Sequence, residues 1–545
     1  MFKTTLRLCV AGILLTNCGH ALRAGEILDG PLAPVNIAQP EIKKDGRPTG
    51  TLTVGWFGPI APKWFDPVTV DQTSATASNF KYLVLDSLIK TMPQGLLTYS
   101  LAELAEVSAD YKTVGFRLRG GLKFQDGMPL TTADVRWNYE NYQGVEASRF
   151  KRFTERVEVK DARTIIFHFK QPFRDFLYYY NGLGSGAGWI VPRHYYERVG
   201  PEGFARKPMG SGPFKLVSQV AEEIRLEAWD EYWRRPPGVK TLIFKSVQSP
   251  ATGLAALKTG ELDVASNMGP VVSQVMADKR LRYDRNITSP WILMFPNWED
   301  PESPFRDKRV RQAISLALNR AFLVQQGTQG LGRVWGNWVS SEYPDGANLP
   351  IPEYNPERGK QLLVEAGYPN GLQLDGLIAF PLEPGTSERV ANDLRAVGIR
   401  TSLQIMDMPR YLATRAQGRK AIKSKSTILM MAEQVPGPAA MMIEKFALCA
   451  APGSFACDSQ IEALWKKYQD DSTSAEDRVK LSREIQERII TEFIAVPIYL
   501  NSFTQAIGPR VLPEGDAPDG EGFHRYWGSP LSAFPFPWED WEVKG

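Results

Sequence analysis

From Thr51 to Tyr499 the chain switches repeatedly between two hydrophobic periodicities. "TVGFRLRGGLKFQDG", from Thr113, sets Val114, Phe116 and Leu118 on one side and Gly115, Arg117 and Arg119 on the other, then meets a turn at Asp126-Gly127. That is a half-buried strand. "TTADVRWNYE" follows from Thr131 as a helix, with Thr131 or Thr132 as its N-cap. "TLTVGWF" (Thr51 to Phe57) and "RTIIFHFK" (from Arg163) are further alternating strands. "YNPERGKQLLVEAGYPNG", from Tyr354, is a helix with its punctuation in place: Asn355 as N-cap, Pro356 at the first turn, Gly367 past the end and Pro369 beyond it. "VANDLRAVGIRTSLQI", from Val390, reads helix, glycine turn, strand. Strands and helices interleaved in this way predict an α/β protein. No fixed repeat and no long low-complexity tract interrupts them, and 545 residues suggest about two to four domains.

"SPFRDKRVRQAISLALNR", from Ser303, packs Arg306, Lys308, Arg309 and Arg311 close together and invites a nucleic-acid or lipid reading. The spacing argues otherwise. Val310, Ala313, Ile314, Ala317 and Leu318 form one apolar helical stripe, with Asp307 as N-cap. Arg309, Gln312 and Arg320 lie off the stripe and are expected in solvent. Cations in a first turn oppose the helix dipole, so this cluster should meet carboxylates or a carbonyl-rich loop. The formal net charge is only +3, too small for a general grip on nucleic acid.

Lys3 and Arg7 precede a short apolar run, "LCVAGILL", and small residues follow it. This is a secretory signal, too short for a membrane span. Cleavage fits after Ala21 or Ala24; the later cut, giving a signal of residues 1–24, removes Lys3, Arg7 and Arg23 and leaves no net charge. A second reading of "LTNC" is a lipoprotein signal that anchors the chain through Cys18, although Asn17 is an unusual residue before such a cysteine. Residues 25–50, rich in Pro, Gly and charge, read as a flexible tether. Of four cysteines, Cys9 and Cys18 fall in the signal; Cys449 and Cys457 remain and suggest one local disulfide in an exported protein. The stretch from Val511 reads as a tail laid over a domain.

Catalytic signatures are missing. There is no G-x-S-x-G, P-loop or H-E-x-x-H, and "GLGSGAG" (from Gly182) misses the dinucleotide spacing. His168 sits on the polar face of a strand and His194 after a proline turn; neither clusters with cysteine, so no metal or cofactor is expected.

Seven phrases taken together resemble the solute-binding proteins of peptide, nickel and opine type ABC importers, bacterial solute-binding family 5. They are the stretch from Gly95 to Val135, "PMGSGPFKL" (from Pro208), "WDEYWRRPPGV" (from Trp229), "LKTGELDV" (from Leu257), "NWEDPESPFRDKRVRQAISLALNR" (from Asn297), the helix from Tyr354, and "AVPIYL" (from Ala495). They span almost the whole chain after the signal, in the family's order. The glycines of "PMGSGPF" suit a tight crossing where φ is positive, and "YW" before "RRPP" gives an aromatic anchor beside a rigid turn.

The resemblance implies a bilobal periplasmic-binding-protein-like fold of type II, with a hinge and an extra inserted subdomain. Lobe I would comprise residues 50–80, 206–295 and 500–545, the insert 81–205, and lobe II 296–499. The implied function is a periplasmic receptor, acting as a monomer, that closes on a small organic solute, peptide-like or opine-like, and delivers it to an ABC permease. The alternatives are an exported hydrolase, which would alter its ligand, and a receptor that presents ligand to a sensor. Trp56 and Phe57, at the end of the first strand, Asn297 and Trp298, near one crossing, and Tyr499, near the other, are the candidate ligand residues. Peptide-binding relatives carry a "W-x-A-D-Y-P-D-P"-like loop whose first Asp holds the peptide ammonium. Matching its prolines to Pro436 and Pro438 puts Gln434 at the Asp, Val435 at the Tyr and Met431 at the Trp; a one-residue slip would put Glu433 in the Asp role. A neutral amide gives a buried ammonium no partner, which is costly, so ordinary peptides should be disfavoured. Met430, Met431, Met441 and Met442 would line an adaptable apolar surface.

Overall fold

The structure is a computed structural model that describes residues 25–43, 45–58, 60, 65–69, 75–182, 184–340, 343–380, 384–432, 437–451, 453–512 and 537–544. Strand β1 (Thr51–Trp56) is followed by an inserted antiparallel sheet of β2 (Ala102–Val107), β3 (Thr113–Leu118), β4 (Thr154–Val159) and β5 (Thr164–Phe169), with helix α1 (Thr132–Asn141) between β3 and β4. Then come β6 (Phe214–Val220), β7 (Glu223–Ala228), β8 (Thr241–Ser246), β9 (Val264–Ser266) and the long β10 (Arg282–Met294). Helices α2 (Lys308–Ala317) and α3 (Pro356–Glu365) lead to β11 (Gly376–Ile378), β12 (Leu403–Gln404) and β13 (Thr427–Ala432). Helices α4 (Ala439–Phe446), α5 (Ser459–Gln469) and α6 (Ala475–Thr491) precede a second long strand, β14 (Ala495–Ile507).

The main sheet runs β6-β7-β8-β1-β9-β14-β10-β13-β11-β12. Strands β10 and β14 pair antiparallel from Arg282 opposite Ile507 to Met294 opposite Ala495, with register breaks at Ile287/Pro290 and Trp291/Ile292. Strand β9 pairs with the late end of β14, at Gln505 to Ile507. Strand β13 pairs with the late end of β10, at Trp291 to Met294. The two halves of the sheet therefore meet through β10 and β14. Trp56, Phe80, Phe244, Ile507, Trp538 and Trp541 share one apolar core; Trp291, Phe295, Val310, Ile314, Ile428 and Tyr499 share another. A third core joins the inserted sheet to α4, α5 and α6.

Local signals hold where they are short-range. Thr131 caps α1 and Asp134 answers it in a capping box. The Asn355 carboxamide accepts the Arg358 N–H at the start of α3. In α2, Asp307 accepts the Arg309 N–H, and Val310, Ala313, Ile314, Ala317 and Leu318 are all buried. The basic cluster meets carbonyls and carboxylates: Arg311, itself buried, donates to Phe305, Arg306 and Glu492 carbonyls, and Lys308 pairs with Glu492 at 3.0 Å.

Three expectations are corrected. Arg320 is buried, not solvated; it donates to the Pro497 carbonyl at 2.9 Å and to the Ser315 carbonyl and hydroxyl at 3.0 Å each. Burial pulls its pKa down to about 9. The glycines of "PMGSGPF" are not held at positive φ. They are needed for backbone contact, since a Cβ on Gly212 would lie 2.6 Å from the Val84 carbonyl carbon. The residues after the expected signal are docked, not a free tether. The buried Glu106 carboxylate accepts the N–H groups of Gly25, Glu26, Ile27 and Leu28 at 2.8–3.0 Å. Ile27 fills the hollow that Gly115 leaves on β3, and Ala38 bridges to Thr98.

Candidate ligand cleft

Each half of the main sheet brings aromatic rings to the crossing strands. At the end of β1, Trp56 is fully buried against Phe80 and Phe244. Phe57 is half-buried and packs on Phe503 of β14, centroids 5.3 Å apart. On the other side Trp291 of β10 stacks on Tyr499 of β14, with centroids 5.7 Å apart and planes 12° from parallel. Phe380 meets Trp291 edge-on at 5.0 Å and Tyr411 at 5.4 Å. The Tyr499 hydroxyl lies 3.2 Å from the Thr386 hydroxyl. Tyr499 and Phe503 are four residues apart, about 13 Å along an extended strand, so β14 carries one member of each aromatic group.

The same strands carry buried polar atoms that, among the described residues, have no protein partner. Trp291 Nε1, Ser502 Oγ, Thr504 Oγ1 and both amide atoms of Gln505 are buried and make no hydrogen bond. Natural interiors leave few such groups unpaired. Along β14 Ser502 and Thr504 point to one face of the sheet and Phe503 and Gln505 to the other. Aromatic faces beside orphaned donors and acceptors suit binding and orientation. The histidines of the described residues lie elsewhere: His168 bonds Glu158 at 2.9 Å and His194 bonds Asp126 at 2.7 Å, both on the inserted subdomain. Among the described residues there is no group of three His, Cys, Asp or Glu side chains that could hold a metal, and no helix is long and apolar enough to cross a membrane.

The sequence-predicted site residues divide. Phe57 packs on the crossing strand β14 and is half-buried, and Tyr499 lies on that strand but is fully buried. Trp56 is core. Met431 is also fully buried, on β13 beside β10. Asn297 and Trp298 sit past the end of β10. The Asn297 backbone turns at φ +59°. Its amide donates to the Ile422 and Ser424 carbonyls, and Trp298 lies under the Arg311 guanidinium at 4.6 Å. Glu433 and Gln434 lie outside the described residues. Cys449 and Cys457 are disulfide-bonded. Sequence reasoning did not single out Trp291, Phe380, Phe503 and Gln505, which lie on or against the crossing strands. The available signal was the mixed aromatic and polar character of "SPWILMFP" and "IYLNSFTQ", where neighbouring strands are aliphatic.

Two α/β lobes joined through paired crossing strands, with a subdomain inserted in the first, make this a type II periplasmic binding protein by fold. Solved structures share it, two of which are described. AgaA from A. tumefacien R10, in complex with agropinic acid, superposes with a TM-score of 0.72 at 22% identity, covering 91% of this chain and 99% of that one. The oligopeptide-binding protein AppA from Bacillus subtilis, with a nonapeptide, gives 0.72 at 20% identity, covering 92% and 100%. Residues 97–436 match the family described as "Bacterial extracellular solute-binding proteins, family 5 Middle", and the chain belongs to that family of binding proteins. Among relatives, AppA of Bacillus subtilis (strain 168) is 29% identical over 399 residues, 67% of this chain and 71% of that protein. The glutathione-binding protein GsiB of Escherichia coli (strain K12) is 28% identical over 357 residues, 63% and 67% respectively. Solute binding is the function of the fold and family together.

Proposed function

We propose that the chain is an exported, monomeric receptor that captures a small organic solute between its lobes and hands it unchanged to an ABC permease in the membrane. The observation that carries this reading is the pair of aromatic groups on the crossing strands, Phe57 with Phe503 and Trp291 with Tyr499, accompanied on β10 and β14 by the Trp291 Nε1 and Gln505 amide atoms, which have no protein partner among the described residues. Residues 1–24 serve as its signal, and it works in the periplasm. The lobes are residues 50–80, 206 to the Ile287/Pro290 break and 502–545 for the first, and Pro290 to Leu500 for the second, with 81–205 inserted. This moves two expected boundaries, 499/500 on past Leu500 and 295/296 back to the register break, the latter because Trp291, Leu293 and Phe295 pack with Phe305, Val310 and Ile314. Phe57 and Phe503, both half-buried, line the site, and closure on ligand removes them from water; Trp291, Tyr499 and Gln505 are buried behind them.

The solute is peptide-like or opine-like in size, as for the oligopeptide, glutathione and agropinic acid bound by relatives. With Gln434 aligned where peptide receptors have the ammonium-binding Asp, the site favours ligands without a free peptide ammonium. Mass spectrometry of co-purifying molecules identifies the solute. Calorimetry with trialanine, N-acetyl-trialanine and glutathione tests the preference. N-acetyl-trialanine should bind better than trialanine. Tight trialanine binding that acetylation and Glu433→Gln each abolish would sink the assignment of Gln434. A ligand released chemically altered would sink the receptor reading.

A further inference from the structure

The segment that begins at Gly25 is laid along the inserted subdomain in a fixed register. The Ala33 N–H donates to the Val107 carbonyl at 2.8 Å and the Ala109 N–H to the Pro31 carbonyl at 2.9 Å, so the segment runs beside β2, an edge strand of the inserted sheet. Ile27 and Leu28 pack on Ile166, and a Cβ on Gly115 would lie 2.5 Å from Ile27. With Ile27 held in that hollow, the Gly25 nitrogen falls 3.0 Å from Glu106 Oε1, and the N–H groups of Glu26, Ile27 and Leu28 complete the set around the same carboxylate. Glu106 is buried. Four neutral donors satisfy its lone pairs but bring no counter-charge. The other charged and titratable groups nearby are engaged elsewhere. Arg117 pairs with Glu26 at 2.5 Å and with Glu103 at 3.5 Å. Lys160 Nζ donates to the Ile27 carbonyl at 3.5 Å, and the Tyr99 hydroxyl accepts the Ala105 N–H at 3.2 Å.

Gly25 also follows Ala24, one of the two places where the sequence lets the signal be cut. We propose that the cut falls between Ala24 and Gly25 and that Glu106 is the site that receives the new N-terminus. The inference rests on the reading of residues 1–24 as an export signal. When a signal peptidase adds water across that peptide bond, the C–N bond breaks. The oxygen stays on Ala24 as a carboxylate, and both hydrogens go to the Gly25 nitrogen, which becomes an ammonium at neutral pH. The amide hydrogen bond to Glu106 thereby becomes a charge-assisted one, roughly twice as strong, and the buried carboxylate takes its counter-charge from the chain's own end. A cut after Ala21 would leave Leu22, Arg23 and Ala24 in front and carry the ammonium up to about 10 Å beyond the carboxylate. Processing is in this way linked to the docking of the segment on β2: the mature chain holds an ion pair that its precursor lacks.

The test is export of the full precursor in a Gram-negative host, recovery from the periplasm, and mass spectrometry of the N-terminal peptide. Competitive acetylation of the folded mature chain across a pH series, read at that peptide, then titrates the terminal amine. The chain should begin at Gly25. Its amine should titrate at least about one pH unit above the ordinary value of about 7.7–8.0. Glu106→Gln should return the midpoint to the ordinary range and so raise labelling near neutral pH about tenfold. Glu26→Gln, at an exposed carboxylate next to the same nitrogen, should leave the midpoint raised. The wild-type titration needs no variant, so it decides even where Glu106→Gln harms folding. A start at Leu22 or at a lipid-modified Cys18 overturns the proposal while export stands. So does an ordinary midpoint on Gly25, or a raised one that Glu106→Gln leaves in place or Glu26→Gln abolishes. A chain found only in the cytoplasm with residues 1–24 attached overturns the proposal and the export reading together.

Discussion

Asp86 makes the sharpest test of how the inserted subdomain is fixed to the first lobe. Its carboxylate is fully buried and accepts from Lys90 Nζ at 2.9 Å, Ser100 Oγ at 2.6 Å, the Ser87 N–H at 2.8 Å, Tyr232 Oη at 2.9 Å and Trp233 Nε1 at 2.7 Å. Lys90 is equally buried; it also donates to Tyr232 Oη and lies 4.1 Å from the centre of the Tyr82 ring. Asp86→Ala strands that ammonium in the interior. Breaking a buried pair from one side costs about 3–5 kcal/mol, and the Trp233 N–H loses its acceptor for about 1–3 kcal/mol more. Partial relaxation brings the expected total to about 5 kcal/mol. Adding Lys90→Met removes the orphaned charge and should recover at least about 2 kcal/mol. Urea unfolding followed by tryptophan fluorescence, with hydrogen exchange across Asp86–Tyr99, reads both changes. A chain with several cores need not unfold in one step, so the transition that includes these amides is the one compared. A loss under about 1 kcal/mol for Asp86→Ala, or a double variant no better than the single, would refute the claim that the buried charge dominates.

Other outcomes follow from features already described. Gly212→Ala places a Cβ 2.7 Å from the Leu85 carbonyl oxygen, and should cost several kcal/mol or prevent soluble expression. Gly385→Ala, with nothing within 4 Å of the added carbon and a helical setting, should be neutral or slightly stabilising; unfolding midpoints compare the two. Replacing Cys449 and Cys457 by serine should lower stability by about 2–3 kcal/mol, and peptide mapping of unreduced protein should recover the pair linked. The Asp175 pKa of about 6 lies above the unfolded value of about 3.9, so the folded state holds the extra proton. Its contribution is full below about pH 4 and lost as pH rises through 6. Asp175 faces Arg149, Arg478, Glu444 and Asp345. Midpoints at about pH 5 and pH 7.5 should differ between wild type and Asp175→Asn by that slope; parallel pH profiles would remove it.

What the sequence disclosed was decided by distance along the chain. The α2 stripe, the Asp307 and Asn355 caps and the Asp126-Gly127 turn depend on partners a few residues away, and they could be read directly. Arg320 was misplaced because its partner on β14, the Pro497 carbonyl, is remote in sequence, and no local pattern separates a solvated arginine from one bonded to carbonyls. The segment from Gly25 looked like a tether for the same reason: its composition is that of a linker, and the carboxylate that holds it belongs to Glu106. At the site, Trp56 and Phe57 are adjacent and alike in chemistry, yet one is core and the other meets Phe503. Which face of a strand end looks into a cleft is fixed by the opposite lobe, whose position is set by the β10–β14 pairing.

The place of β14 in the main sheet has a consequence for the order in which the protein can be made. This strand, among the last regular elements of the chain, lies between β9 and β10, and Trp538 and Trp541 complete the core around β1, a strand begun at Thr51. A ribosome delivers β1, β8, β9 and β10 long before the segment that joins them. Until residues 495–544 emerge, the half-sheets have no shared partner and the first core lacks two of its tryptophans. Such long-range closure is slow, and for an exported chain slowness helps: the polypeptide stays threadable through a translocation channel. If the chain is exported as proposed above, the first lobe should complete its fold only after its final strand has crossed the membrane.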